Sequence, residues 1–158
     1  MRFVFVDRLL ALDPGRSIVT LKNVTATEDV FDDHFPGCPI LPGALIVEAF
    51  AQAARLLIAL STDFSRVGRF EGIARASFRR FVRPGDQLRV RCQRRDAEQW
   101  TIAAEAEVDG RIVAAAILEF VLEDAVSGEG REEAARLREL ARVLREGPLE
   151  LAGLTGPS

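Results

Sequence analysis

The chain is poor in the side chains that build metal sites and disulfides. Its 158 residues include one histidine, His34, and two cysteines, Cys38 and Cys92. These do not form a zinc site of familiar ligand spacing. Two cysteines without a secretory segment point to reduced thiols in the cytoplasm rather than to a disulfide scaffold. At the N-terminus, the run from Met1 to Val6 meets Asp7 too early to be the apolar core of a signal peptide. There is no Gly-x-Gly-x-x-Gly, no Walker-type phosphate loop, no serine in a nucleophile-elbow pattern and no internal repeat. Lysine is also scarce: Lys22 is the only one, so nearly all positive charge is arginine. A net charge of −3 argues against a nucleic-acid binder. The longest apolar segment, Gly43 to Leu60, is broken by Glu48, Gln52 and Arg55. Each charge near the middle of a span costs about 2.5–3.5 kcal/mol on insertion, which excludes a membrane helix.

What is present suits a folded domain. Hydrophobic residues make up 48% of the chain, enough for a real core. Residues 2–12 and 16–24 read as strands around the turn Asp13-Pro14-Gly15. A loop rich in turn residues fills 25–42, and Pro42 suits a first helical turn. Residues 43–60 predict a helix that is apolar nearly all round and therefore buried. Beyond residue 70 the period changes to two. A strand is expected at about 72–82, then a turn at Arg83-Pro84-Gly85-Asp86. Leu88, Val90 and Cys92 then alternate with polar residues, as do Trp100, Ile102, Ala104, Ala106 and Val108. Asp109-Gly110 separates the second run from Ile112–Val121, a strong hairpin signal. Six strands and one central helix predict an α+β domain with an antiparallel sheet wrapped on that helix. The expected division is a domain over 1–123, then a linker and C-terminal helical extension over 124–158. In that extension, Ala134, Leu137, Ala141 and Leu144 form the helical stripe of 131–146.

Chemistry concentrates in residues 34–52, His-Phe-Pro-Gly-Cys-Pro-Ile-Leu-Pro-Gly-Ala-Leu-Ile-Val-Glu-Ala-Phe-Ala-Gln. A stiff loop carries the histidine into the buried helix. There Glu48, Gln52 and Arg55, at i, i+4 and i+7, form one polar stripe. An unpaired buried carboxylate is costly, so Glu48 needs a partner or a polar cavity. That partner could equally be a structural ion pair or a wet subunit interface. His34 suits a general base near neutrality, though a lone histidine can also be structural. The N–H groups of Gly43 and Ala44 open the helix without intrahelical acceptors and suit an oxyanion. Gly43 could also be no more than a tight helix start. Cys38 beside His34 reads as a small buried filler rather than a nucleophile. Arg75, Arg79, Arg80, Arg83, Arg89, Arg91, Arg94 and Arg95 cluster within 21 residues. They form either a solvated sheet face or a docking surface for an acidic partner.

These residues resemble the hot-dog-fold 3-hydroxyacyl-acyl-carrier-protein dehydratases of bacterial fatty-acid synthesis. The match is to His-Phe-Pro-Gly-x-Pro-x-[Met/Leu]-Pro-Gly-x-Leu-x-x-Glu-Ala-x-Ala-Gln. Phe5-Val6-Asp7-Arg8, Lys22-Asn23-Val24-Thr25 and Pro84-Gly85-Asp86-Gln87-Leu88 extend the similarity over roughly residues 3–122. The resemblance implies a central helix wrapped by the sheet, and dimers that often assemble into trimers of dimers. It implies His34 and Glu48 as catalytic residues, given to one site by different protomers. Gly43 is implied as the backbone donor to the thioester carbonyl, and Gln52 as a polar residue near the acid. The implied substrate is a 3-hydroxyacyl chain on the phosphopantetheine of acyl carrier protein, with no metal or redox cofactor. Arg79, Arg80 and Arg83 are the expected carrier-docking residues. Phe50, Ala53, Phe78 and Phe81 are expected to line the acyl chain. Glu48, rather than the aspartate of the related dehydratase–isomerases, favours dehydration alone. The chain starts at the family's first strand and adds a C-terminal helix, so a specialised lipid or polyketide pathway is also open. The rival readings are a hot-dog thioesterase and a non-catalytic acyl-binding subunit.

Overall fold

In the computed structural model, which describes residues 4–28, 31 and 37–146, six antiparallel strands curl around one helix. The strands are β1 (Arg8–Asp13), β2 (Ser17–Asn23), β3 (Arg66–Phe78), β4 (Gln87–Arg94), β5 (Trp100–Val108) and β6 (Arg111–Asp124). The central helix α1 spans Gly43–Ser61, and a C-terminal helix α2 spans Gly128–Arg145. Sheet order is β1-β2-β4-β5-β6-β3, which leaves β1 and β3 as edges. This is the helix-in-sheet arrangement that the sequence predicts.

Alternation fixes the sheet's inner face. Leu88, Val90 and Cys92 on β4 and Ile102, Ala104 and Ala106 on β5 are all buried. They pack with Phe50, Leu56, Leu57 and Ile58 of α1 in one cluster. Asp109 and Gly110 both take positive φ, 51° and 78°, as a two-residue turn of that type requires. By length and composition α1 could cross a membrane. Ten of its 19 residues are buried inside the protein, which makes it a core helix. Pro42 stands just before it as the N-cap, not inside its first turn.

One strand departs from expectation. Residues 66–78 form β3, rather than 72–82. Its register with β6 slips between Phe70 and Gly72 and again between Ile73 and Arg75. Each bulge shifts the inward–outward phase, so the period of two is lost to inspection. Gly68 hides the strand further, yet it is required: a Cβ there would lie 2.5 Å from Ile58 Cδ1 on α1. The chain leaves the ladder after Phe78. The N–H groups of Arg79 and Arg80 both donate to the Val113 carbonyl, at 2.8 and 3.3 Å. Buried Val82 then accepts from the Leu41 N–H at 2.8 Å, which ties this segment to the loop entering α1.

Helix α2 starts three residues earlier than expected, and its stripe of Ala134, Leu137, Ala141 and Leu144 is buried in the same core as α1 and the sheet. Its charges pair along its own outer face, as in Arg142 with Glu139 and Glu146 at 2.6 Å each. Leu137→Ala should therefore lower unfolding free energy by about 2–5 kcal/mol, as large-to-small core changes do. Val143→Ala, at a position 51% exposed, should change it little. Urea unfolding midpoints of the two variants would check this.

Candidate active site

The polar stripe of α1 is the centre of the site. A helix places Glu48 and Gln52 one turn apart on the same face, and Gln52 Nε2 donates to Glu48 Oε1 at 3.0 Å. The other end of the amide is occupied too: Gln52 Oε1 accepts from the Phe5 backbone N–H at 2.7 Å. The segment before β1 thus fixes which way the amide points. Arg55 completes the stripe, with a guanidinium nitrogen 3.9 Å from Glu48 Oε1. The stripe faces the side of α1 that is least enclosed. The Glu48 side chain is 42% exposed and that of Arg55 26%. Glu48 thus has the partners that the sequence calls for, in Gln52 and Arg55.

Gly43 opens α1, where the N–H groups of Gly43 and Ala44 precede the first intrahelical bonds, made by Leu45 and Ile46 to the Pro42 carbonyl. A Cβ at Gly43 would lie 3.0 Å from Phe78 Cε1, so the ring lies over the helix start. Phe78 remains 52% exposed, and Phe81 is 65% exposed beyond the end of β3. Phe50 and Ala53 are fully buried in the core. Of the four expected lining residues, Phe78 is the one in contact with the helix start at Gly43. His34 lies outside the described residues.

The arginines divide into two groups. Arg79, Arg80 and Arg83 are exposed on the segment that follows Phe78. Arg79 also edges an open groove of about 390 Å³ with Arg75, Ser77 and Glu105 on the outer sheet face. Others are committed within the sheet. Arg89 lies 3.8 Å from Glu107, and Arg94 stacks on Trp100 at 4.0 Å while donating to the carbonyls of Ala97 and Gln99.

Sequence reasoning missed Lys22. It is buried, with Nζ 2.9 Å from Glu28 Oε1 and 3.8 Å from Asp7 Oδ2. The signal was available in Ile18, Thr20 and Lys22, which alternate onto the buried face of β2.

The comparisons with known proteins bear on the whole arrangement. The model of the FabA-like domain matches residues 1–117. A 3-hydroxyacyl-[acyl-carrier-protein] dehydratase FabZ of Oleidesulfovibrio alaskensis is 44% identical over 119 residues, which cover 72% of this chain and 77% of that protein. The protein of the same name from Nitrosospira multiformis is 46% identical over 121 residues, covering 73% and 83%. The chain belongs to the 3-hydroxyacyl-acyl-carrier-protein dehydratase family. Among solved structures, a thioesterase superfamily member from Thermus thermophilus superposes with a TM-score of 0.58 at 19% identity, covering 86% of this chain and 95% of that one. That likeness concerns the fold, which is the hot dog. Helix α2 lies beyond the residues matched by the family.

The two cysteines differ sharply. Cys38 is exposed, not the buried filler expected of it. Cys92 is buried, its Sγ 3.6 Å from the Phe50 carbonyl oxygen, and burial pushes its thiol up from 9.0 to about 12. A thiol raised in the folded state adds stability that is complete below pH 9.0 and lost as pH rises toward about 12. A disulfide reagent at pH 8 should therefore titrate one thiol, Cys38, in the native protein and both after denaturation. Two fast-reacting native thiols would contradict the burial of Cys92.

Proposed function

We infer that the protein dehydrates 3-hydroxyacyl-acyl-carrier-protein to trans-2-enoyl-acyl-carrier-protein in fatty-acid biosynthesis. Family membership over most of the chain carries this reading. The chemistry requires a base for the proton on the carbon beside the thioester. It also requires a donor for the enolate-like oxygen and an acid for the departing hydroxyl. We assign His34 as the base, the Gly43 N–H as the donor and Glu48, in its protonated form, as the acid. The hydroxyl leaves as water with the proton from Glu48, and the double bond forms between the two carbons. Gln52 holds the Glu48 carboxyl in place. These groups supply what the elimination needs without a metal or redox cofactor.

The protein acts as a homodimer in the cytoplasm, with each site built from His34 of one protomer and Glu48 of the other. Two features support this. The edge strand β3 presents 13 residues with one unpaired side, and exposed Ile73 and Phe78 lie along it. Glu48 is also half open in a single chain.

His34→Ala and Glu48→Gln should each lower the rate of crotonyl-carrier hydration by about 100-fold or more. An equal mixture of the two, exchanged through unfolding and refolding, should recover about a quarter of wild-type activity, because half of the dimers regain one intact site. Wild type that releases free thiol and adds no water would sink the dehydratase reading. No recovery on mixing would sink the shared site.

The carrier protein docks on Arg79, Arg80 and Arg83, which are exposed beside Phe78 and the start of α1. The double substitution Arg79→Glu and Arg83→Glu should raise KM for carrier-bound substrate about tenfold at low salt, with kcat nearly unchanged. The gap should narrow as salt screens the arginines in the wild type.

A further inference from the structure

The polar stripe treats the two oxygens of Glu48 differently. Gln52 Nε2 donates to Oε1 at 3.0 Å, and the Arg55 guanidinium approaches the same Oε1 at 3.9 Å. Among the described residues, both partners of the carboxyl meet that one oxygen. A donor and a cation on one oxygen stabilise negative charge there and disfavour a proton on it.

This asymmetry depends on which way the Gln52 amide lies, since the two orientations differ only by exchange of its oxygen and nitrogen. A backbone N–H can only donate, so the Phe5 N–H, 2.7 Å away, demands the amide oxygen. The nitrogen is then turned to Glu48. The N–H itself is anchored. Phe5 is 2% exposed, and its ring centroid lies 5.6 Å from the Lys22 ammonium. Two residues on, the Asp7 N–H donates to the Leu21 carbonyl at 2.8 Å, and Asp7 Oδ2 accepts from the Asn23 N–H at 2.7 Å. The segment before β1 is therefore clamped to β2 and does not follow the amide if it turns.

We propose that the Phe5 N–H is a positioning group that assigns the catalytic proton to Oε2 of Glu48. In the dehydration, that proton passes from Oε2 to the departing hydroxyl as its C–O bond breaks, and water leaves with the bonding pair. The base takes the proton from the neighbouring carbon, and the electron pair left behind forms the double bond. Glu48 ends as a carboxylate, its charge held on Oε1 by Gln52 and Arg55. The kinetic consequence rests on the dehydratase reading, whereas the order of hydrogen bonds does not.

The test removes that N–H from the full chain. Residues 1–37 are made as a synthetic thioester in which the Phe5 amide nitrogen is replaced by an ester oxygen, and are joined at Cys38 to the rest of the protein. Without the N–H the amide is free to turn its oxygen toward Glu48. In carrier-substrate kinetics the ester should lower kcat about tenfold, with KM changed less than about twofold. Gln52→Met should lower kcat about 10- to 100-fold. In that background the ester should cost less than about twofold, because the N–H then has no route to Glu48. Equal losses in both backgrounds, or a loss carried by KM alone, would overturn the proposal. If the ester chain fails to fold, Phe5→Pro also lacks the N–H and is read in the same way. The infrared band of the protonated Glu48 carboxyl, isolated at acidic pH by subtracting Glu48→Gln, reads the link without turnover. A donor on Oε1 lowers its C=O frequency, so the band should rise in Gln52→Met and in the ester, and an unmoved band would also overturn the proposal. Inactive wild-type protein would refute the dehydratase reading, and the band would then decide the order of hydrogen bonds alone.

Discussion

A helix enclosed on nearly every side still carries a carboxyl group that stays open to solvent, and the rest of the architecture answers to that constraint. Enclosure requires close approach, which α1 achieves with small residues: Ala49, Ala51, Ala53, Ala54 and Ala59 are all buried. Opposite them, Gly68 on β3 leaves room for Ile58. The polar residues have to share one stripe, because a carboxylate turned into that packing would lose its hydration with nothing in return. Gln52 is the pivot of the stripe. An amide both accepts and donates, so it can take the Phe5 N–H and still give an N–H to Glu48. A carboxylate at this position could only accept, and an apolar residue could do neither.

A second constraint acts at the start of α1. The backbone joins three features at one corner. The Phe78 ring covers Gly43, the Leu41 N–H donates to Val82, and the arginine segment runs between Phe78 and Val82. The exposed arginines and the first residues of α1 are therefore held by one short stretch of chain. Because Val82 is fully buried, Arg79 and Arg83 are anchored at their base while their side chains stay in solvent. A cationic surface fixed in this way can steer an acidic partner toward the helix start without itself being rigid.

Where local patterning and tertiary packing agree, the fold is legible in the residues. Strands β4 and β5 show clean alternation, and Asp109-Gly110 announces its hairpin turn. Strand β3 does not, since its Gly68 answers to a helix elsewhere in the chain and its bulges reset the phase of alternation. The same division holds in the site. Glu48, Gln52 and Arg55 are readable from helical spacing alone. Phe5 reaches Gln52 across 47 residues of sequence, and no local pattern reports that contact.

Helix α2 and strand β3 meet solvent in contrasting ways, and the contrast bears on assembly. Helix α2 buries its apolar stripe in its own chain, and its outer face is laced by ion pairs at helical spacing. The lone exposed Val143 is ordinary for a solvated helix. Strand β3 keeps one side of its backbone unpaired over its length and exposes apolar side chains beside it. Unpaired strand groups gain most from another strand, whereas charges already paired on a helix gain little from a new neighbour. Helix α2 therefore leaves no apolar stripe open, whereas the edge at β3 remains free to gain from a further strand.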